Sequence, residues 1–167
     1  MSDRLLQEDT RARNLALEPR SFIVEAPAGA GKTELLTQRA LSLLARVEAP
    51  EEVVALTFTN KAATEMRDRI LGSLELAAAG RRPGDDQPHR QHTFDLGRRA
   101  LARDAECQWQ LLRHPGRLAV TTIDALCAGL ARQMPLLSRF GAQPGVAEDA
   151  APHYRQAARR TLAMVED

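Results

Sequence analysis

Apolar residues at helical spacing alternate along the chain with short, continuously apolar runs. The first helical stretch covers residues 3–17, with Leu5, Leu6 and Leu15 as its buried positions, and Pro19 ends it. Ser21-Phe22-Ile23-Val24-Glu25 predicts a strand, followed by a small-residue loop over 26–31. A helix is expected from Lys32 to about Arg46, with Leu35, Leu36, Leu41, Leu43 and Leu44 as its apolar face. Pro50 interrupts, and Val53–Phe58 predicts a second, buried strand. Asn60 is suited to cap a helix from about 61 to 79 that Gly80 stops.

Residues 80–90 form the clearest loop, and a further helix runs on to about Cys107. Arg117–Thr121 predicts a third strand, after which Thr121 or Thr122 opens a helix to about Met134, closed by Pro135. Residues 138–149 are loop-like, and 152–165 form a final amphipathic helix. Strand, helix, strand, helices, strand, helix is the order of an α/β domain: a parallel sheet flanked by helices and joined by right-handed crossovers. Three strands are few for such a sheet, so the domain is expected to be partial.

Composition narrows the class. With 44% hydrophobic and 27% charged residues the chain has a globular balance, which argues against disorder. No run is long and apolar enough for a membrane helix, and Met1-Ser2-Asp3-Arg4 does not open a signal peptide, so no membrane partner is expected. Cys107 and Cys127 are far apart and have no metal-ligand spacing; the expected compartment is the cytoplasm. The net charge of +1 means that a polyanion must be held by local groups. The 23 basic residues are 21 Arg and 2 Lys, and the two lysines, Lys32 and Lys61, both fall inside motifs.

The decisive motif is Ala26-Pro27-Ala28-Gly29-Ala30-Gly31-Lys32-Thr33. It fits the phosphate-loop pattern G-x-x-x-x-G-K-[ST], with Ala26 in place of the first glycine. Small residues let the backbone curl until its N–H groups converge on phosphate oxygens at a helix N-terminus. In that pattern Lys32 reaches the outer phosphates of ATP and Thr33 places its hydroxyl on Mg²⁺, which makes these two the candidate catalytic residues. Hydrolysis also needs a carboxylate in the metal's water shell, and no apolar strand here ends in Asp-Glu. Asp124 is the nearest candidate, but Thr121-Thr122-Ile123-Asp124 fits a helix-capping pattern, which is the better account of it.

The string A-P-A-G-A-G-K-T-E-L-L-T-Q-R (26–39), followed by A-L-T-F-T-N-K-A-A-T-E-M-R-D-R-I (55–70), resembles the N-terminal domain of UvrD/Rep-like superfamily 1 helicases. T-T-I-D-A-L-C (121–127) resembles their next motif in its RecB and AddA form, from exonuclease V-type complexes. The resemblance implies a partial RecA-like P-loop NTPase domain spanning 1–167. It implies the ATP- and single-stranded-DNA-binding start of a 3′-to-5′ DNA helicase or helicase-nuclease of DNA repair and recombination, with a nuclease or helicase partner subunit. Thr57, Phe58, Thr59, Asn60 and Lys61 correspond to motif Ia and Thr122 and Ile123 to motif Ib, both on the DNA path. Phe58 offers a face for base stacking, while Thr59, Asn60 and Lys61 offer phosphate contacts; core packing is the other reading of Phe58.

The chain departs from the family in two places. Arg11 stands near the position of an adenine-reading glutamine, with Gln7 four residues earlier, and Asp124 stands where much of the family has histidine. The Asp-Glu motif and the second RecA-like domain with its arginine fingers are not in these residues, so the chain alone is expected to be catalytically inactive. Two other classes fit the phosphate loop alone: a small kinase, which leaves Thr57–Lys61 without a role, and a non-catalytic module that binds DNA or a partner. His89 and His92 read as solvated surface, and Trp109, beside Leu111 and Leu112, as a core anchor. Arg81, Arg82, Arg90, Arg98, Arg99 and Arg103 are interspersed with Asp85, Asp86, Asp95 and Asp104, which reads as an ordinary charged surface.

Overall fold

Val54–Thr57 (β1) and Ala119–Thr122 (β2) pair in parallel, with Val54 opposite Ala119 and Thr57 opposite Thr122. In this computed structural model residues 3–27, 29–133 and 149–164 are described, with side chains from residue 7 onward. Parallel strands need a long crossover. Here it consists of two helices, α3 (Asn60–Ala78) and α4 (Pro88–Cys107). Before β1 come α1 (Asp3–Leu15) and α2 (Lys32–Leu44), and after β2 come α5 (Ile123–Gln133) and α6 (Ala151–Ala163). The result is the expected α/β fold, a small parallel sheet flanked by helices. Residues 1–126 form one compact unit and 127–167 a second.

In the first unit, α4 packs against both α2 and α3, and α3 covers one face of the sheet. Leu41, Leu44, Ile70, Leu74, Ala100 and Leu111 are at most 1% exposed and form the centre of the core. Full burial of a leucine side chain contributes roughly 1.5–3 kcal/mol relative to exposure. The α3–α4 crossing is close: a Cβ on Gly97 would stand 3.1 Å from both the Ala77 Cβ and the Ser73 carbonyl oxygen. Trp109 is buried as expected, and its Nε1–H donates to the Glu48 carbonyl at 2.8 Å. Arg117 donates twice to Glu51, at 2.7 and 3.1 Å, and holds that carboxyl below the usual carboxylate range. The bridge ties the entrance of β1 to that of β2.

Several sequence expectations are corrected. Ser21–Glu25 is not a strand: it pairs with neither β1 nor β2, and Ile23 is 93% exposed. An apolar run becomes a strand only where an edge offers hydrogen-bond partners, and here the chain is held from the side instead. Arg39 on α2 donates to the carbonyls of Ala16, Glu18 (3.1 Å) and Arg20 (2.7 Å). Its guanidinium also lies 5.5 Å from the centre of the Phe22 ring. The run Val53–Phe58 shortens to Val54–Thr57 and is not buried on both faces, since Val54 and Leu56 remain exposed. Leu15 and Leu36 are exposed too, while Ala16 and Leu17 take the buried positions at the end of α1.

The caps also shift. Thr59, not Asn60, caps α3, its hydroxyl accepting from the Ala62 N–H at 3.1 Å. Thr122 caps α5 through the Ala125 N–H at 3.2 Å, with Asp124 in the first turn. In the second unit α6 leaves Tyr154 and Leu162 exposed, and Met164 just after it is exposed too. The expectations for Leu5 and Leu6, and for the loop over 138–148, lie outside the described residues.

Candidate phosphate loop and strand-end surface

α2 starts at Lys32 because Gly31 precedes it in the left-handed conformation, φ 77 and ψ 25. Gly29 is left-handed as well, at φ 80, while Ala30 between them is not. Both glycines hold a backbone conformation that residues with a Cβ strain to adopt, and the Ala30 N–H between them donates to the Pro27 carbonyl at 3.3 Å. The loop is closed by its own lysine. Lys32 Nζ donates to the Ala26 carbonyl at 2.6 Å and to the Pro27 carbonyl at 2.7 Å. An ammonium has three N–H bonds, so one remains for a ligand.

Thr33 is exposed in the first turn of α2, its carbonyl accepting from the Thr37 hydroxyl at 3.0 Å. Ala28, the remaining loop position, lies outside the described residues. Gly29, Ala30 and Gly31 line a cavity of about 730 Å³ together with Arg13 from α1, Glu34 and Gln38 from α2, and His89 and His92 from α4.

The second group of sequence candidates gathers at the carboxyl ends of the two strands, because Thr57 and Thr122 are paired in register. Phe58 follows β1 and is 91% exposed, outside the core of the described residues. The Thr57 hydroxyl donates to the Thr59 carbonyl at 3.0 Å and fixes the turn into α3. Asn60 and Lys61 are exposed at the start of that helix, and the Lys61 ammonium is 4.0 Å from Glu65 in a solvent-screened pair. Thr122 is only 8% exposed and Ile123 is exposed beside it. The hydroxyls of Thr59 and Thr122 are both engaged in helix caps.

Comparison with known proteins covers most of the chain. The family described as the UvrD/REP helicase N-terminal domain matches residues 6–154. This chain belongs to that family. Among curated relatives, an ATP-dependent helicase/nuclease subunit of Moorella thermoacetica is 43% identical over 102 residues, 59% of this chain and 7% of that protein. The corresponding subunit of Acetivibrio thermocellus is 35% identical over 104 residues, 60% of this chain and 8% of the relative. An ATP-dependent DNA helicase UvrD1 of Mycobacterium tuberculosis is 48% identical over 52 residues, 30% of this chain and 7% of that protein. The chain thus spans less than a tenth of the length of these relatives. No solved structure matches it.

Within this UvrD/Rep-type domain, α4 adds contacts at the phosphate loop that local sequence patterns do not reveal. The Gln38 Nε2 donates to the Thr93 hydroxyl at 2.9 Å and to the His89 carbonyl at 3.3 Å, and the Thr93 hydroxyl is bonded to Glu34. Gln38 and Thr93 are buried, so this polar seam fixes the first turns of α2 against α4. His89 is exposed as expected, but His92 is half-buried on the cavity wall. Among the described residues no group of three or more His, Cys, Asp or Glu is placed to hold a metal. No helix of the described chain is long and apolar enough to cross a membrane.

Proposed function

We propose that residues 1–167 are the N-terminal part of the ATP-binding domain of an ATP-driven, 3′-to-5′ DNA helicase or helicase-nuclease of the RecB and AddA kind, acting in DNA repair or recombination. The observation that carries the reading is the loop itself: Lys32 drawn across to the carbonyls of Ala26 and Pro27, with two left-handed glycines just before α2. Ala26–Thr33 bind the phosphates of ATP in this reading, Lys32 adds charge, and the exposed Thr33 hydroxyl is the protein's ligand to Mg²⁺. The partner is a nuclease or helicase subunit of the same complex, which fits the relatives named as helicase/nuclease subunits. The compartment is the cytoplasm.

Calorimetric titration with an ATP analogue and Mg²⁺ tests the loop. Lys32→Ala is expected to bind about tenfold or more weakly, because a charge-assisted contact contributes roughly 1.5–3 kcal/mol. Equal affinity in both proteins would remove the phosphate-loop reading.

Thr57–Lys61, with Thr122 and Ile123 beside them, form the single-stranded-DNA surface in this proposal. The exposed Phe58 ring supplies stacking and Lys61 a phosphate contact, neither of which reads sequence. The capping hydroxyls of Thr59 and Thr122 hold the helix starts in place, leaving Phe58, Asn60 and Lys61 as the groups that meet DNA. Phe58→Ala is expected to lose roughly 1–3 kcal/mol of stacking, and Lys61→Ala to make the salt dependence shallower by about one phosphate. Fluorescence anisotropy across a salt series separates the two effects. Unchanged binding in both variants contradicts the assignment.

A further inference from the structure

Arg13 sits 17 residues before Ala30 and belongs to no motif, yet its guanidinium is built into the loop. Its Nη2 donates to the Ala30 carbonyl at 2.7 Å and its Nε to Asp9 at 2.8 Å, one turn back on α1. Nη1 and Nη2 lie 3.5 and 3.8 Å from the place a Gly31 side chain would start, so the charge stands directly beside the loop. The side chain lines the cavities on both sides of that loop.

We propose that Arg13 is a positioning residue for the phosphate loop, holding the Ala30 carbonyl and setting a fixed positive charge beside Gly31. This rests on the reading of Ala26–Thr33 as a nucleotide loop. The electrostatics are simple. A loop carbonyl oxygen carries partial negative charge that repels a bound anion, and a cationic donor on that oxygen offsets the repulsion. Three loop carbonyls have cationic donors that offset their partial negative charge: Lys32 Nζ on Ala26 and Pro27, and Arg13 on Ala30. Asp9 keeps the guanidinium aimed, since a planar donor fork fixed at Nε leaves Nη2 little freedom to turn. Three of the five guanidinium N–H bonds stay available toward the cavities.

The test is an NMR titration of the 167-residue chain with inorganic tripolyphosphate and, separately, with ATP, read at the amides of Gly29 and Gly31. The Trp109 indole N–H signal, which reports the remote Glu48 contact, monitors the fold. Arg13→Ala is expected to bind tripolyphosphate about five- to tenfold more weakly, the range of one charge-assisted hydrogen bond. It should also shift the Gly31 amide before any ligand is added, with the Trp109 signal in place. Arg13→Lys keeps the charge but loses the planar fork that spans Ala30 and Asp9, and is expected to fall between wild type and Arg13→Ala. If Arg13→Ala disturbs the Trp109 signal, Arg13→Gln takes its place, keeping the stem without the charge. Wild-type affinity in the Arg13 variants, with binding lost in Lys32→Ala, overturns the inference and leaves the loop reading standing. Gly29 and Gly31 amides that ignore millimolar tripolyphosphate in the wild-type chain overturn both.

Discussion

The 167-residue chain is expected to hold ATP without turning it over. Phosphoryl transfer needs a metal fixed by carboxylates, an oriented water and positive charge on the transition state. In the proposed reading the loop supplies a cradle, Lys32 and Thr33. The one aspartate near a strand end, Asp124, is exposed in the first turn of α5, where it answers the positive end of the helix. The arginines around the loop are already engaged. Arg13 is bonded to Ala30 and Asp9, and Arg39 to three carbonyls between residues 16 and 20. An arginine finger alone is worth about 10³–10⁵ in rate. A coupled ATPase assay, with and without single-stranded DNA, decides the matter. DNA-stimulated turnover above about 1 s⁻¹, an ordinary low enzyme rate, abolished by Lys32→Ala, would mean that chains associate into a complete site.

Trp109→Ala is expected to lower stability by about 3–5 kcal/mol, the range for deleting a buried aromatic side chain. Trp109 is 3% exposed and packs in the same cluster as Leu111, Leu118 and Ala100. Its loss leaves a cavity and strips the Glu48 carbonyl of its donor. The turn around it is also unusual: Gln108 and Gln110 on either side are left-handed, at φ 55 and 58. Such non-glycine residues are held by their surroundings. Asp104 provides part of that hold, its carbonyl accepting from the Trp109 N–H and its carboxylate from the Leu111 N–H. Trp109→Phe keeps most of the volume and is expected to cost markedly less. Urea unfolding followed by far-ultraviolet circular dichroism measures both, and a loss below about 1 kcal/mol, the scale of a single hydrogen bond, for the alanine variant would remove Trp109 from its central role.

What the sequence made legible follows the range of the interactions. The helices α2, α3 and α4 were readable because 3.6-residue periodicity and caps are local signals, and their ends fell within a few residues. The cap of α3 moved by one position because Thr59 and Asn60 are both good caps and only the backbone at Thr59, extended at φ −130, decides between them. Ser21–Glu25 was misread because strand propensity describes a fit to neighbours, and no neighbouring strand is there. The phosphate-loop pattern itself is a string of eight consecutive residues, and the left-handed Gly29 and Gly31 fall inside it. Arg13, Arg39 and the Gln38–Thr93 seam were not legible, since each joins positions 17 to 55 apart through hydrogen bonds that leave no periodic trace.

The closeness of α3 and α4 at Gly97 carries a mechanical consequence. Packed interiors deform little, and helices in contact at this distance cannot slide or rotate past each other without lifting Ala77 off its seat. One end of this pair grips the start of α2 through Thr93 and Glu34, just after the phosphate loop. The other carries Phe58, Asn60 and Lys61 at the head of α3. The two helices therefore form one closely packed hairpin that touches α2 at one end and the carboxyl end of β1 at the other. A single added methyl group, at Gly97, would force that hairpin apart.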